Sequence, residues 1–391
     1  MEFQLSDEQS LLVSTVRRFI DSELRPLEDV VEQTGELAVE DAERIFDNSH
    51  ALGFYAMNIP EQHGGGGLST LDWMLVEEQF GYTTDILIRR AFGNVYEILL
   101  AGTPEQQERW LLPSVKGRRT FSIAFTEPEA GSDAASIRTT ARLEGDTWIL
   151  SGQKCFISDA LFSDFFVVTA VTDQEAAHRG ISTFIVDKGL EGFTIGPDQP
   201  MMGLRGTTHA DLFFDDVKLG PETLLGPEGD GLKLALETLG RVRLAQIGAR
   251  AIGKATRILD LTIEHARQRK QFGSPIGEFQ MIQKMLADSA MEIKAARLAL
   301  YATACSIDRG NEAREEISMV KVQASETLGR VVDRAVQIFG GSGYAKGLPI
   351  ERYYRDARIY RIFDGTSEIH RTVIAKALLK GAPQLYDLVA Q

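Results

Sequence analysis

The period of the hydrophobic pattern changes twice along this chain, and those two changes constrain what it can fold into. Up to about residue 118 apolar side chains recur at helical spacing. From Arg119 the texture becomes short β-rich runs, Trp148–Leu150, Phe165–Val171, Ser182–Val186 and Ala210–Phe214, separated by Gly, Asp and Pro. After Gly226-Pro227-Glu228-Gly229-Asp230-Gly231 the helical period returns and holds to the end. No long helical pattern lies between the β runs, which favours an antiparallel barrel over βαβ units. The expected architecture is multidomain α+β: an N-terminal helical domain (1–118), a middle antiparallel β-barrel domain (119–230) and a C-terminal four-helix bundle domain (231–391). A length of 391 residues agrees, being too great for one ordinary core.

The helical stretches carry their own punctuation. Ser6-Asp7-Glu8-Gln9 has the pattern of a capping box, ahead of an apolar face formed by Leu11, Leu12, Val16, Phe19 and Ile20. Further helices are expected at Glu40–Leu52, Leu71–Tyr82, Thr103–Leu112, Leu232–Glu264, Phe279–Arg309 and Glu312–Phe339. The glycine run Gly64–Gly67 lacks the Lys-Ser/Thr of a phosphate-binding loop and follows no clear strand, so it reads as a plain loop.

Composition removes several function classes. A net charge of −14 argues against a nucleic-acid footprint or a basic membrane-binding face. Cys155 and Cys305 are too few and too far apart for a disulfide framework or a thiolate metal cluster, which fits a reducing compartment. The opening residues show no signal-peptide or transit character, and no apolar run approaches a membrane span. The expectation is a cytoplasmic protein without a metal site.

The densest chemistry lies between Glu351 and Arg371. Asp364-Gly365 can reverse the chain because glycine tolerates positive φ, and Thr366 or Ser367 can cap the next helix. Ile369, Val373, Ala377 and Leu378 then fall on one face of that helix. The Asp364 carboxylate is thus presented from a turn between two helices, beside hydroxyls and N–H groups that can seat an anion. Three further blocks accompany this turn: Phe125-Thr126-Glu127-Pro128-Glu129-Ala130-Gly131-Ser132-Asp133, Arg269-Lys270-Gln271-Phe272-Gly273, and Gln337-Ile338-Phe339-Gly340-Gly341-Ser342-Gly343-Tyr344. Standing alone, the first would read as a Glu-Pro turn and the second as a basic helix end closed by Gly273.

Together, and in this order, the four blocks resemble the acyl-CoA dehydrogenase family over essentially the whole chain. The resemblance implies FAD, with Thr126 at the isoalloxazine, Ser132 at the pyrophosphate, Phe156 near the ring and Ser158 within reach of N5. Without the family, Phe156 reads equally well as a core aromatic. Arg269 and Phe272 would reach the adenosine diphosphate half of a cofactor bound mainly by a neighbouring subunit, with Gln337 and Gly341 completing that site. Thr366 and Glu368 join the cofactor-binding set. Such sharing implies a homo-oligomer, commonly a tetramer. Arg241 resembles the family's arginine near the CoA moiety, although a solvated helix face is as good a reading. Arg89 and Arg90 fall where the family lines its acyl cavity and could read an anionic acyl tail; surface ion pairs are the stronger alternative.

The family usually has glutamate where this chain has Asp364, one methylene shorter, which draws the oxygens back by about 1.5 Å. Some members place the base just before the CoA-proximal arginine; here that residue is Gly240, leaving Asp364 as the candidate. The implied reaction is α,β-dehydrogenation of an acyl-CoA, with Asp364 removing the α-proton, hydride passing to flavin N5, and an electron-transfer flavoprotein as acceptor. The alternatives are a CoA-thioester lyase or desulfinase on the same scaffold, and a non-catalytic flavin- or CoA-binding subunit. An acid at 364 counts against the last.

Overall fold

The computed structural model describes residues 4–93 and 95–386, and both changes of period coincide with changes of secondary structure. The N-terminal part contains α1 (Asp7–Phe19), α2 (Glu28–Thr34), α3 (Val39–Ala51), α4 (Thr70–Phe80) and α5 (Asp85–Phe92), followed by helical turns from Pro104 to Val115. The capping box forms: the Gln9 amide donates to Ser6 Oγ and the Ser6 amide to Gln9 Oε1, both at 3.1 Å. Val16, Phe19 and Ile20 are buried behind it, whereas Leu11 points to solvent at 65% exposure. Helix α2 was not expected; at seven residues it is too short to show a period. The glycine run folds back on the segment before it, with the Gly66 and Gly67 amides donating to the Ala56 and Ile59 carbonyls. Those N–H groups are turned inward, so the plain-loop reading holds.

The middle part is a curled seven-stranded sheet: β1 (Phe121–Ala124), β2 (Thr140–Glu144), β3 (Thr147–Ser158), β4 (Phe165–Val171), β5 (Ile181–Asp187), β6 (Phe193–Ile195) and β7 (His209–Leu219). Its order is β1-β4-β2-β3-β7-β6, with β5 also on β4. The pairing is mainly antiparallel but not wholly so. β1 runs parallel to β4, from Phe121 opposite Phe165 to Ala124 opposite Val168, and β2 bridges β4 in parallel at Thr140 and Val171. These partners are separated in sequence by other strands rather than by tight turns, which leaves the parallel direction open to them.

The C-terminal part packs α6 (Gly231–Val242), α7 (Arg250–Gln268), α8 (Gln280–Asp308), α9 (Arg314–Phe339), α10 (Pro349–Arg358) and α11 (Ser367–Leu379) around a core that includes Leu244, Ile252, Leu300, Leu328 and Tyr353. A π-helical segment, Arg243–Ala249, joins α6 to α7 without breaking the rod. The expected apolar face of α11 is only partly covered: Leu378 is exposed, and the residues it buries fully are Ser367 and His370. No described helix is long and apolar enough to cross a membrane.

The helical parts are clamped to each other by charge and by close backbone approach. Glu77 of α4 meets Arg250 of α7 at 2.5 Å with both side chains buried, and Glu78 accepts from Arg297 and Tyr301 of α8. Gly81 and Gly253 let the end of α4 lie against α7, since a Cβ on either would collide with the other segment's backbone. Breaking a buried pair costs far more than a surface one, because the surviving charge stays desolvated. Glu77→Gln should therefore destabilise the protein by about 3–5 kcal/mol in denaturant titration, and pairing it with Arg250→Met should recover most of the loss.

Candidate active site

The chain leaves α10, makes one short helical turn at Ile359–Arg361, and reverses at Asp364 (φ 51°) and Gly365 (φ 92°). A left-handed aspartate is tolerated, though less cheaply than glycine. Thr366 caps α11, its Oγ1 accepting from the Ile369 amide at 3.2 Å, while the other candidate cap, Ser367, is buried with its hydroxyl unpartnered. Two side chains hold the backbone of the turn: Arg243 Nε donates to the Asp364 carbonyl at 2.7 Å and His370 Nε2 at 3.2 Å. Among the described residues no hydrogen bond or ion pair ties up the carboxylate. Desolvation pushes its pKa up, opposed by the charges of Arg243, Lys321 and Arg89. Lys321 is itself fully buried, with Nζ unpartnered; desolvation pulls its pKa down to about 8 against the attraction of Asp364.

The arginine that meets the turn is Arg243, not Arg241. Two residues apart on a helix means about 200° of rotation, so the two arginines of Arg241-Val242-Arg243 face opposite ways. Arg241 is exposed and lines a cleft of about 520 Å³ together with Trp73 and Glu97, whose carboxyl pKa is raised by burial. The residue before Arg243 is Val242, so neither arginine has an acid before it.

One group of predicted residues gathers at the end of β3. Register runs from Lys154 opposite Leu212 to Ile157 opposite Ala210, so β3 carries one residue too many and bulges there. Phe156 sits in the bulge at φ 58° and is thrown outward to 59% exposure, which removes the core-aromatic reading. The Cys155 amide donates to the Thr126 carbonyl at 2.9 Å, bringing the Thr126 block beside Phe156 and Ser158. Ser132 lies farther along that block, exposed. Behind it, the buried Lys154 ammonium reaches Glu127 at 2.7 Å, and Glu127 also accepts from the Arg138 and Thr139 amides. Against desolvation, those donors hold the Glu127 pKa below its usual range, while burial draws Lys154 down to about 8.

A second group gathers beyond α7. Gly273 does not end that helix: Phe272 (φ 50°) and Gly273 (φ 83°) form the tight turn of a small hairpin in which Lys270–Gln271 pairs with Ser274–Pro275. That turn leaves Phe272 97% exposed. His265 stacks on Phe339 with ring centroids 4.0 Å apart, and Ala266, Ile276 and Ile338 share a core, so Arg269, Phe272, Gln337 and Gly341 occupy one end of the bundle. Among the described residues no hydrogen bond or ion pair joins this group to the one at β3. Glu368 is exposed on the first turn of α11. Arg89 is already answered by Asp159 at 2.6 Å in a mostly buried pair, rather than a surface one. Arg90 lies over the Phe162 ring at 4.5 Å.

Three family models match successive parts of the chain: acyl-CoA dehydrogenase N-terminal domain over residues 6–118, middle domain over 122–217 and C-terminal domain over 229–379. The chain belongs to the acyl-CoA dehydrogenase family. It is similar to the caffeyl-CoA reductase-Etf complex subunit CarC of Acetobacterium woodii, 38% identical over 96% of this chain and 99% of the relative. It also resembles the mitochondrial short-chain specific acyl-CoA dehydrogenase of Bos taurus, 37% identical over 96% and 91%. Among solved structures, the butyryl-CoA dehydrogenase of Megasphaera elsdenii matches with a TM-score of 0.88 and 35% identity, covering 97% of this chain and 100% of that one.

As a member of this family the protein is an FAD-dependent oxidoreductase. Its residues fit such a group: an aromatic forced out of the sheet at Phe156 and a buried unpartnered hydroxyl at Ser367. Sequence reasoning missed Arg243, Lys321, His370 and the Glu127–Lys154 pair. Glu127 and His370 stand inside blocks already singled out, but their partners are remote in sequence and nothing local marks them. Because the Lys321 cation favours ionised Asp364, Lys321→Met should raise the Asp364 pKa and move the acid limb of the kcat/KM profile to higher pH. An unmoved limb would show that Lys321 does not act on Asp364.

Proposed function

We propose that this acyl-CoA dehydrogenase family member oxidises an acyl-CoA thioester to its 2-enoyl-CoA, with Asp364 as the base for the α-proton. The observation that carries this reading is the Asp364 turn: backbone held by Arg243 and His370, carboxylate left unengaged, and burial balanced against the nearby cations. FAD supplies the acceptor for the β-hydrogen as hydride. The protein contributes position, charge and a site from which water is partly excluded. Thr126, Ser132, Phe156 and Ser158 are proposed to hold the flavin half, with Thr366 and Glu368 beside the base. Arg269, Phe272, Gln337 and Gly341 are proposed to hold the adenosine end of a cofactor seated mainly in a second copy of the chain. The relative named as part of an Etf complex supports an electron-transfer flavoprotein as redox partner.

That same relative is named a reductase, and this favours a second reading in which the net reaction runs from enoyl- to acyl-CoA. The site serves both directions, since a base that removes the α-proton is by microscopic reversibility the acid that returns it. A carboxyl whose pKa is raised by desolvation suits the returning step.

Asp364→Asn tests the reading in either direction. It should preserve fold and flavin while lowering kcat by about 10²–10⁴-fold, because the amide cannot take the proton. Wild-type turnover would remove Asp364 from the chemistry. In the parent enzyme activity should fall as pH drops through the raised Asp364 pKa, since only the carboxylate accepts a proton. The shared cofactor is tested separately: Arg269→Ala should purify with less flavin and a lower mass by light scattering. Stoichiometric flavin at unchanged mass would count against it.

A further inference from the structure

We propose that His370 is a positioning residue for the base: its imidazole, braced by Ser318, locks the Asp364 backbone in the left-handed turn that aims the carboxylate. The inference rests on Asp364 being that base. His370 lies on the first turn of α11, six residues beyond Asp364, and is 2% exposed. Its ring reaches back over Gly365 so that Nε2 donates to the Asp364 carbonyl at 3.2 Å. Gly365 makes this possible twice over, since its φ of 92° suits only glycine and a Cβ there would stand 2.8 Å from Nε2. On the other side of the ring Nδ1 is 3.1 Å from Ser318 Oγ, which belongs to α9 in the bundle core.

Both contacts require a proton on Nε2, and burial decides the state of Nδ1. A carbonyl can only accept, so Nε2 carries the proton. Burial, assisted by the Arg243 charge, draws the His370 pKa down to about 4, so the ring is neutral near pH 7 and Nδ1 is an acceptor for the Ser318 hydroxyl. Ser318 Oγ also lies 3.1 Å from the Arg314 carbonyl, but its single proton can serve only one of them. Carbonyl, imidazole and hydroxyl therefore form a relay of fixed polarity that ties the turn to α9.

The lock matters more for aspartate than it would for glutamate. With one side-chain torsion fewer, the carboxylate of Asp364 follows its backbone almost directly and cannot swing to correct a displaced turn. Misplacement of a reacting group by 1 Å can cost on the order of 10²-fold in rate. Arg243 holds the same oxygen but comes from the α6–α7 rod, whereas the His370–Ser318 arm ties it to α11 and α9.

The test compares His370→Ala, His370→Gln and Ser318→Ala in the flavin-loaded full-length enzyme, with an acyl-CoA that the parent turns over and its α-deuterated form. His370→Ala should lower kcat about tenfold or more, leave KM and flavin absorbance nearly unchanged, and raise the α-deuterium isotope effect as proton removal becomes limiting. Glutamine offers an NH₂ donor and a carbonyl acceptor in place of the two ring nitrogens, so His370→Gln should return to within about threefold of the parent. Ser318→Ala should fall between the two and stands in if His370→Ala does not fold. Parental kcat and isotope effect in His370→Ala, or in Ser318→Ala where that is the variant available, overturn the proposal. So does a His370→Gln variant as slow as His370→Ala. Failure of the underlying reading is distinct: in that case Asp364→Asn itself keeps its turnover.

Discussion

The Asp364 carbonyl oxygen is where the Asp364–Gly365 turn is held to the helices around it. A left-handed conformation at a non-glycine residue costs about 1–2 kcal/mol, while a hydrogen bond from a charged donor contributes about 1.5–3 kcal/mol net. The bonds from Arg243 and His370 together offset the cost of the turn and hold it rigid. Each donor comes from a different helix, so the orientation of the Asp364 carboxylate depends on the packing of α11, α9 and the α6–α7 rod. That rod is in turn clamped to the N-terminal helices by the buried Glu77–Arg250 pair. The position of one carboxylate is therefore a property of the assembled helical parts and not of a loop.

A π-helical segment lies at the junction that carries Arg243. It sits where α6 becomes α7 and begins at Arg243 itself. An extra residue in one turn changes which face the following side chains present, and it does so without the kink that a proline would impose. The β-bulge in β3 is the equivalent device in the sheet: one additional residue turns Phe156 outward and frees the Cys155 amide to hold Thr126. A buried charge lies near each place, Lys321 near the turn and Lys154 behind the Thr126 block.

These buried charges act differently. Lys154 has a carboxylate at 2.7 Å and further acceptors in Phe125 and Thr169, so its desolvation is offset by contacts it makes in place. Lys321 has no such contact and acts through the field it shares with Asp364, Arg243, Glu326 and Glu368. The first is a structural clasp; the second tunes the acid beside which it is buried.

Much of this protein was legible in the order of its residues. The three textures, the capping box at Ser6, the Thr366 cap and the Asp364-Gly365 reversal are short-range features, and local sterics and hydrogen bonding settle them before any distant part of the chain is in place. Family membership was legible for a related reason, since its motifs are contiguous blocks. What tertiary structure alone decided are matters of rotation and register: that Arg243 rather than Arg241 meets the turn, that Gly273 serves a hairpin rather than a helix end, that Arg89 is consumed by Asp159, and that β1 lies parallel to β4. A one-residue insertion in a helix or strand changes which face a side chain takes, and the stretch of chain that pays no visible local cost for it cannot announce it. Only the packing of segments remote in sequence selects the answer, and it selected the partners of Asp364.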